Sequence, residues 1–283
     1  MTTARSKRGQ HRWDAALRGV LLAAYLLFAL FPIYWIVKIS FTPDKTLFKQ
    51  AARLWPSALT LEHFTSLFRG TPFLVYFKNS LLVSGCTAVL VVLLAALAGY
   101  ALSRFRFAGA EAARGFLLAT QIFPLVLLIT PLYKIFAVTG LINSLQGLVL
   151  IYVVFNLPFA IFLMQGFFDG VPAELEEAAL IDGCTRFEAF RRVVLPMTLP
   201  GIVATLGFAF TGAWSELLFG LMFINSDANK TVAVGLLNFV GKFGVDWGQI
   251  TAAAVISLIP VLIFFGIIQR YLISGLTVGA VKG

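Results

Sequence analysis

The chain has 283 residues, of which 59% are hydrophobic and only 12% charged, and its mean hydropathy is +0.90. Soluble domains carry about 25% charged residues, so this composition excludes an ordinary soluble fold. The formal net charge of +9 comes from Lys and Arg residues that flank apolar blocks and form no basic face. That pattern is typical of topology signals and phospholipid contacts, so we expect a lipid bilayer and no nucleic acid as partner.

Six apolar blocks are each long enough to cross a hydrocarbon layer of about 30 Å as a helix. Helix is favoured over strand because a helix satisfies its own backbone hydrogen bonds inside lipid. The blocks are Gly19–Val37, Leu81–Ser103, Gly115–Tyr133, Gly147–Phe168, Gly201–Phe223 and Trp247–Gln269. The first is too long for a secretory signal and no cleavage pattern follows it, so we predict a retained span. The predicted fold class is all-α, a polytopic membrane protein with six transmembrane helices.

The Lys and Arg residues predict that the amino and carboxyl termini are both cytoplasmic. Apart from the long first outer segment, where the rule is less binding, the outer segments carry only Lys134, Lys230 and Lys242. The cytoplasmic set is Arg5, Lys7, Arg8, Arg12, Arg18, Arg104, Arg106, Arg114, Arg186, Arg191, Arg192, Arg270 and Lys282. We therefore predict a basic tail at 1–18, a transmembrane domain at 19–273 with an inner loop at 169–200, and a cytoplasmic tail at 274–283.

Prolines lie inside the predicted spans, among them Pro124, Pro131 and Pro158. Each removes a backbone donor and permits a bend or an opening next to protein-lined space. They are either hinges or tolerated kinks, and the residues alone leave both open.

The inner loop is predicted to form two short helices joined by a glycine. Pro172 stands at a plausible first helical position, and Gly183 ends the first helix. Acidic residues occupy the early turns, where the helix dipole favours them, at Glu174, Glu176 and Glu177. Thr185, three residues before Glu188, has the spacing of a capping box, and a second helix then runs to Pro196.

One face of the first inner-loop helix is small and smooth. Its residues recur at helical spacing while the acids point elsewhere, and they are Leu175, Ala178, Ala179 and Asp182. Two interpretations stay open from the residues alone. The face either covers the cytoplasmic ends of the protein's own spans or docks a partner protein.

The same loop resembles the EAA loop of ABC importer permeases. The shared pattern is Glu177-Ala178-Ala179, then Gly183, then Val193-x-Leu195-Pro196, with Val in place of the commoner Ile. The segments NSLLVS after Lys78, AGYALSRFRFAG across Tyr100 and GLTVGAVKG at the end also resemble the second permease subunit of maltose-type carbohydrate importers. The resemblance covers nearly the whole chain.

The resemblance implies one of two permease subunits of an ATP-driven importer of carbohydrates or polyols, working by alternating access in the bacterial cytoplasmic (inner) membrane. It implies a second permease subunit, two ATP-binding subunits and an extracytoplasmic solute-binding protein as partners. In the family the loop is the coupling helix, so Glu177 would make the polar contact to the ATPase, Ala178 and Ala179 the close packing, and Gly183 the turn. Asp182, Leu195 and Pro196 complete the predicted coupling loop.

The chain has no Gly-x4-Gly-Lys-Ser/Thr run to hold phosphates. We therefore expect no cofactor on this chain, with ATP and Mg²⁺ on the partner ATPase. No Ser, His and acid grouping appears, and His11 and His63 offer no catalytic or metal constellation, so we predict neither an enzyme nor a metal site.

An ion-coupled secondary carrier or a channel is the alternative, and its usual mark is ionisable groups within spans. Glu216 alone lies within an apolar block, which is thin support for ion coupling. A purely structural membrane scaffold would leave the EAA spacing unexplained.

Two further groups of residues are candidate contacts. Trp214, Ser215 and Glu216 form a possible substrate path, in which Trp214 either stacks on a sugar ring or packs within the protein. Ser215 departs from the family, which more often has Asn there. The glycine-rich outer loop, Asn225–Asp246, either is a plain connector or, by resemblance, contacts the solute-binding protein. The candidates for that contact are Asn238, Phe239, Lys242 and Phe243.

Overall fold

The structure is a computed structural model, and it describes residues 3–49, 53–241 and 244–279. Most of this chain is helical, which confirms the predicted all-α class. The α-helices are α1 (Thr3–Ser40), α2 (Asp44–Leu47), α3 (Glu62–Gly70), α4 (Phe73–Arg104), α5 (Ala110–Ile122), α6 (Leu125–Val138), α7 (Leu145–Asp169), α8 (Ala173–Ile181), α9 (Arg186–Ala189), α10 (Leu195–Met197), α11 (Leu199–Ser215), α12 (Leu218–Phe223), α13 (Val232–Gly235) and α14 (Trp247–Gly279). The shorter elements are a π-helix at Phe190–Val194, 3-10 turns at Asp227–Asn229 and Leu236–Phe239, and the antiparallel strands β1 (Val240–Gly241) and β2 (Gly244–Val245).

Within the described residues, 4 helices are long and apolar enough to cross a membrane, and they match four of the predicted blocks. Their bounds are Ala16–Ser40, Phe73–Arg104, Leu145–Asp169 and Trp247–Gln269. Two helix pairs pass the same test only together: α5 with α6 is bent by 101°, and Arg186–Met197 with α11 is bent by 76°. The predicted six spans are therefore reached only if each bent pair counts as one span.

The third predicted span, Gly115–Tyr133, is not one straight helix, because α5 and α6 are separated at Phe123 and Pro124. Phe123 has an extended backbone (φ −73°, ψ 129°), which the ring of a following proline favours. Pro124 lacks the N–H that would continue the hydrogen bonding of α5. Pro131 and Pro158, by contrast, lie inside α6 and α7, and both helices continue through them.

The fifth predicted span, Gly201–Phe223, also contains a break. α11 ends at Ser215, and Glu216 adopts an extended backbone (φ −70°, ψ 125°) before α12. The sequence predicted that Glu216 lies inside a continuous helical span, and this prediction is wrong because the helix ends one residue earlier. Its carboxylate accepts the backbone N–H groups of Phe219 at 3.0 Å and Gly220 at 3.2 Å. A carboxylate is stable there because the first N–H groups of a helix have no partner inside the helix.

The described chain clusters into two compact units, the first of which comprises residues 1–71 and 239–256. In this unit the His63 side chain is buried, and its Nε2 donates to the carbonyl oxygen of Thr42 over 2.9 Å. The imidazole lies directly against Gly248, where any Cβ would overlap the ring. The absence of a side chain at Gly248 thus makes room for the buried histidine.

The second unit comprises residues 72–238 and 257–283 and is built on α4, α7 and α11. Gly99 of α4 faces the backbone of α7, and a Cβ there would lie 2.9 Å from the amide nitrogen of Gln165. Small residues commonly allow such close helix approach within lipid. One core joins these helices to the inner loop, and its members include Val91, Ala95, Tyr100, Ala160, Met164, Phe168, Phe190, Val194, Phe210 and Trp214.

Candidate functional site

The inner loop folds as the sequence predicts, into a helix, a glycine turn and a second helix. Pro172 is the N-cap of α8 rather than its predicted first helical residue. Gly183 has a φ of 89°, a left-handed conformation that favours glycine because glycine has no Cβ. The predicted capping box is present: the Thr185 amide donates to the Glu188 carboxylate at 2.9 Å, and the Glu188 amide donates to the Thr185 hydroxyl at 3.3 Å. Local features therefore mark where the first helix ends and where the second begins.

Large apolar side chains are exposed on both sides of the Gly183 turn. Leu175 is 41% exposed, Ile181 87% and Phe187 65%. We call the exposed face the docking surface, and it consists of Leu175, Glu177, Ala178, Ile181, Asp182 and Phe187. Contiguous exposed apolar residues with a polar rim are typical of a protein–protein contact.

The remaining residues of the predicted coupling loop divide between the two interpretations of its small face. Ala179 is buried inside the chain, whereas Ala178 is exposed. Of the two alanines, only Ala178 leaves its side chain open to another molecule, because Ala179 is buried within the chain. Leu195 is half-buried, and Pro196 is exposed.

Glu176 lies where the sequence pattern did not place it. The helical spacing predicted only that the acids of α8 lie off its small face, and it gave no sign that Glu176, which is 6% exposed, would be buried. Its Oε2 accepts a hydrogen bond from Nε of Arg104 at 3.2 Å, and its Oε1 accepts one from the Tyr100 hydroxyl. Both partners belong to the AGYALSRFRFAG segment, but a distance of 72 residues along the chain offered no local signal for the pairing.

The predicted substrate-path residues lie at the break between α11 and α12. Trp214 is buried, stacks on Phe210 with ring centroids 5.6 Å apart, and meets Phe77 edge-on at 5.6 Å. Its indole therefore packs within the protein in this structure. Ser215 is exposed and donates its hydroxyl to a carbonyl one turn earlier at 2.8 Å, and Glu216 caps α12. Contact between these residues and cargo stays a prediction.

Polar contacts tie the outer loop to the amino-terminal end of α4. The Asn79 side-chain amide donates to the carbonyls of Ala228 and Lys230, both at 2.9 Å. The Ser80 hydroxyl accepts the backbone N–H of Val232 at 2.8 Å. Asn79 and Ser80 open the NSLLVS segment, so that segment holds the outer loop in place.

A second set of bonds in the outer loop centres on Tyr76. Its hydroxyl donates to the Asp227 carboxylate at 3.0 Å and accepts from the Asn238 amide at 2.9 Å. Lys230 forms a 2.7 Å ion pair with Asp227 and a 3.1 Å bond to the Asn238 side-chain oxygen. The hydrogen bond from Lys230, followed by that from Tyr76, holds the pKa of Asp227 below its ordinary value.

The predicted contacts for a solute-binding protein are only partly visible. Asn238 is exposed although it takes part in the Tyr76 network, and Phe239 is half-buried. Lys242 and Phe243 lie outside the described residues. Contact with a solute-binding protein stays a prediction for all four residues.

His63 has neighbours that the sequence did not reveal. Ligand-type atoms of Asp44, His63 and Asp246 lie within 4.8 Å of one another. His63 already donates to the Thr42 carbonyl. The Asp246 carboxylate accepts the backbone N–H of Gln249, in the first turn of α14, at 2.8 Å. These bonds give both groups a structural role, and we assign no metal to the cluster.

Comparison with known proteins identifies the class of this chain. Residues 91–278 match the family described as the binding-protein-dependent transport system inner membrane component. The chain belongs to this family. It is a multi-pass permease of the cytoplasmic membrane, and the ion-coupled carrier and the channel are set aside.

Relatives of similar length carry names from sugar uptake. The chain is 39% identical to the diacetylchitobiose uptake system permease protein DasC of Streptomyces coelicolor, over 89% of this chain and 92% of that protein. It is 38% identical to the trehalose transport system permease protein SugB of Mycobacterium tuberculosis, over 90% and 93%. It is 34% identical to the trehalose/maltose transport system permease protein MalG of Thermococcus litoralis, over 94% and 95%.

The fold is also found in a solved transporter. A chain of a bacterial ABC transporter involved in the import of the acidic polysaccharide alginate superposes with a TM-score of 0.80 at 20% identity, over 93% of this chain and 97% of that one. A structure of the alginate transporter in complex with a pentasaccharide-bound periplasmic protein superposes with a TM-score of 0.65 at 18% identity, with the same coverage. These likenesses confirm the permease fold.

Proposed function

We propose that this chain is one of two membrane-spanning subunits of an importer in which a separate subunit hydrolyses ATP. The observation that carries the proposal is the docking surface, where Ile181 and Phe187 are exposed on either side of Gly183. The sequence contains no phosphate-binding run, so the ATPase must be another chain. We assign that ATPase, with its ATP and Mg²⁺, as the partner that covers the docking surface.

The docking surface combines apolar and charged side chains in the way expected of a surface that enters a cleft on a partner protein. Ile181 and Leu175 supply apolar anchors, and Glu177 supplies a rim charge that orients the contact. When nucleotide binding closes the ATPase subunits, the docked loop moves with them. The membrane helices then re-pack between inward-open and outward-open arrangements, so transport proceeds by alternating access without a covalent step on this chain.

We further propose that both termini are cytoplasmic. The support is the Lys and Arg distribution, which leaves few basic residues in the short outer segments. This orientation places the inner loop on the side of the membrane where ATP is available. The outer loop with Asn238 then faces the extracytoplasmic side, where a solute-binding protein delivers the cargo.

The proposed cargo is a carbohydrate or a polyol. The support comes from the relatives, whose names give diacetylchitobiose, trehalose and maltose. We expect the solute-binding protein to select the particular sugar before the permease receives it. Ser215, exposed beside the break before α12, is the candidate group for contact with a sugar hydroxyl.

The proposal is tested by recovering tagged protein from native membranes in mild detergent and assaying the eluate for ATPase activity and for co-purifying chains. We expect an ATP-binding subunit, a second polytopic chain and vanadate-sensitive hydrolysis, and uptake of a labelled sugar after reconstitution with the binding protein. Recovery of this chain alone, without hydrolysis, would refute the proposal.

Thiol crosslinking adds a positional test. In a background without Cys86 and Cys184, Glu177→Cys is expected to crosslink to the ATP-binding subunit. Glu111→Cys is the matched control, because the Glu111 side chain is 87% exposed and lies on the same predicted side of the membrane. Equal crosslinking at both positions would argue against the docking surface as the contact.

A further inference from the structure

Glu176 differs from the other acids of α8 in its surroundings. Glu174 and Glu177 are exposed, whereas Glu176 is buried with its Oε2 on Nε of Arg104 at 3.2 Å and its Oε1 on the Tyr100 hydroxyl. The Glu176 and Arg104 side chains are 8% and 13% exposed. Both carboxylate oxygens therefore have charged or polar donors in a site that excludes most water.

Arg104 holds more than the Glu176 carboxylate. Its Nη2 donates to the carbonyl oxygen of Val171 at 2.7 Å, in the segment that connects α7 to α8. Arg104 is the last residue of α4. Its planar guanidinium bonds both to α8 and to the segment that leads into α8. A lysine would keep the charge but offers no rigid fork for two such acceptors.

The ring of Tyr100 extends the same contact to the second half of the inner loop. It packs against Phe190, the first residue of the π-helix, with centroids 4.5 Å apart, and meets Phe168 near the end of α7 at 5.7 Å. One tyrosine therefore contacts the carboxylate of α8, the helix after the Gly183 turn and the end of α7.

We propose that Arg104, Glu176 and Tyr100 form a buried clasp that positions the coupling helix α8 on the cytoplasmic end of α4. This inference rests on the proposed function of the inner loop. When the ATPase moves α8, the clasp makes α4 move with it, so force reaches the membrane helices through α4. Separating α8 from α4 would leave an uncompensated buried charge, which is costly. The two helices are therefore expected to move together.

The test compares uptake per ATP hydrolysed in the reconstituted full complex. Glu176→Gln keeps the shape of the side chain and removes its charge. A hydrogen bond to a charged group stabilises by an amount that corresponds to about tenfold or more in an equilibrium, so we expect uptake per ATP to fall by about tenfold while hydrolysis continues. The charge-swapped pair, Arg104→Glu with Glu176→Arg, is expected to recover part of the loss.

Arg192→Gln is the matched control, because Arg192 forms a 3.4 Å ion pair with Glu188 on the same loop with a side chain that is 68% exposed. We expect this variant to keep the wild-type ratio of uptake to hydrolysis. If Glu176→Gln also keeps that ratio, or if its only effect is a lower yield of otherwise fully coupled complexes, the clasp has no positioning role.

Tyr100→Phe decides the matter if Glu176→Gln does not assemble. It keeps the ring and the ion pair and removes one hydrogen bond, so we expect uptake per ATP to fall about fivefold. An unchanged ratio in this variant would overturn the proposal. Failure of the proposed function looks different, because the wild-type chain would then transport without an ATPase or bind none.

Discussion

Replacing Gly99 with alanine tests the close packing of α4 on α7, which supports the inner loop. A Cβ at this position would lie 2.9 Å from the amide nitrogen of Gln165, 3.0 Å from the carbonyl oxygen of Ile161 and 3.1 Å from Cβ of Met164. Two of these are backbone atoms, which cannot rotate away. The two helices must therefore separate by a few tenths of an ångström to admit one methyl group.

Overpacking of this kind costs about 1–3 kcal/mol. Alanine is also the better helix former, by about 0.5–1 kcal/mol, which offsets part of that cost. Gly85→Ala is the control, because Gly85 also lies inside α4 and a Cβ there meets nothing within 4 Å. Since both variants share the gain in helix propensity, the difference in their stability isolates the overpacking, about 1–3 kcal/mol with Gly99→Ala the less stable.

The measurement is the thermal unfolding midpoint of each variant, purified in the same detergent with its partner subunits. For a chain of this size, each kcal/mol corresponds to slightly less than about 2 °C, so Gly99→Ala is expected to melt about 2–5 °C below Gly85→Ala. Equal midpoints, or a higher midpoint for Gly99→Ala, would mean that α4 and α7 are not packed backbone to backbone at Gly99.

Three further predictions concern the inner loop, the α12 cap and the outer loop. Gly183→Asp places a side chain in a left-handed turn at a cost of about 1–2 kcal/mol and should leave ATP hydrolysis running while uptake falls, so normal uptake by this variant contradicts the coupling role. Glu216→Ala removes the acceptor for two N–H groups of α12 and should lower stability by about 0.5–2 kcal/mol in the same thermal assay, with Glu216→Gln in between; no change for alanine refutes the cap. The pKa of Asp227 is lower in the folded protein than in the unfolded chain, so its contribution to stability is present above the ordinary Asp pKa of about 4 and is lost as pH falls through the lowered folded value. Thermal midpoints measured from pH 6 to about pH 3 should therefore fall less steeply for Asp227→Asn than for wild type, and parallel curves would contradict this.

The parts of the fold that could be predicted are those that lipid or local bonds decide. Apolar blocks must be helical because lipid offers no partner for unpaired backbone groups, which is why four predicted spans appear as single unbroken helices. The inner loop was predictable because Gly183, Thr185 and Glu188 act on their own neighbours. The Arg104–Glu176 pair was not, because it joins residues far apart in the chain and each residue has another plausible role by itself.

The breaks in the third and fifth spans show a different limit. Hydropathy measures how apolar the side chains are and carries no information on backbone hydrogen bonds. Pro124 interrupts the helix because it lacks an N–H and because the residue before it, Phe123, has an extended backbone. Prolines inside α6 and α7 do not break those helices, so the presence of a proline is no sufficient signal. What differs at Pro124 is the conformation of the preceding residue, which the sequence alone does not specify.

Glu216 carries the same lesson for function. Within a continuous span a lone carboxylate is costly, and such a residue is ordinarily a hypothesis for ion or proton binding. In the structure the chain leaves the helix at this residue, and the carboxylate is satisfied by the N–H groups of Phe219 and Gly220. The charge therefore needs no ion to account for its position. The residue that supported the ion-coupled alternative therefore has a structural explanation, and the family match independently sets that alternative aside.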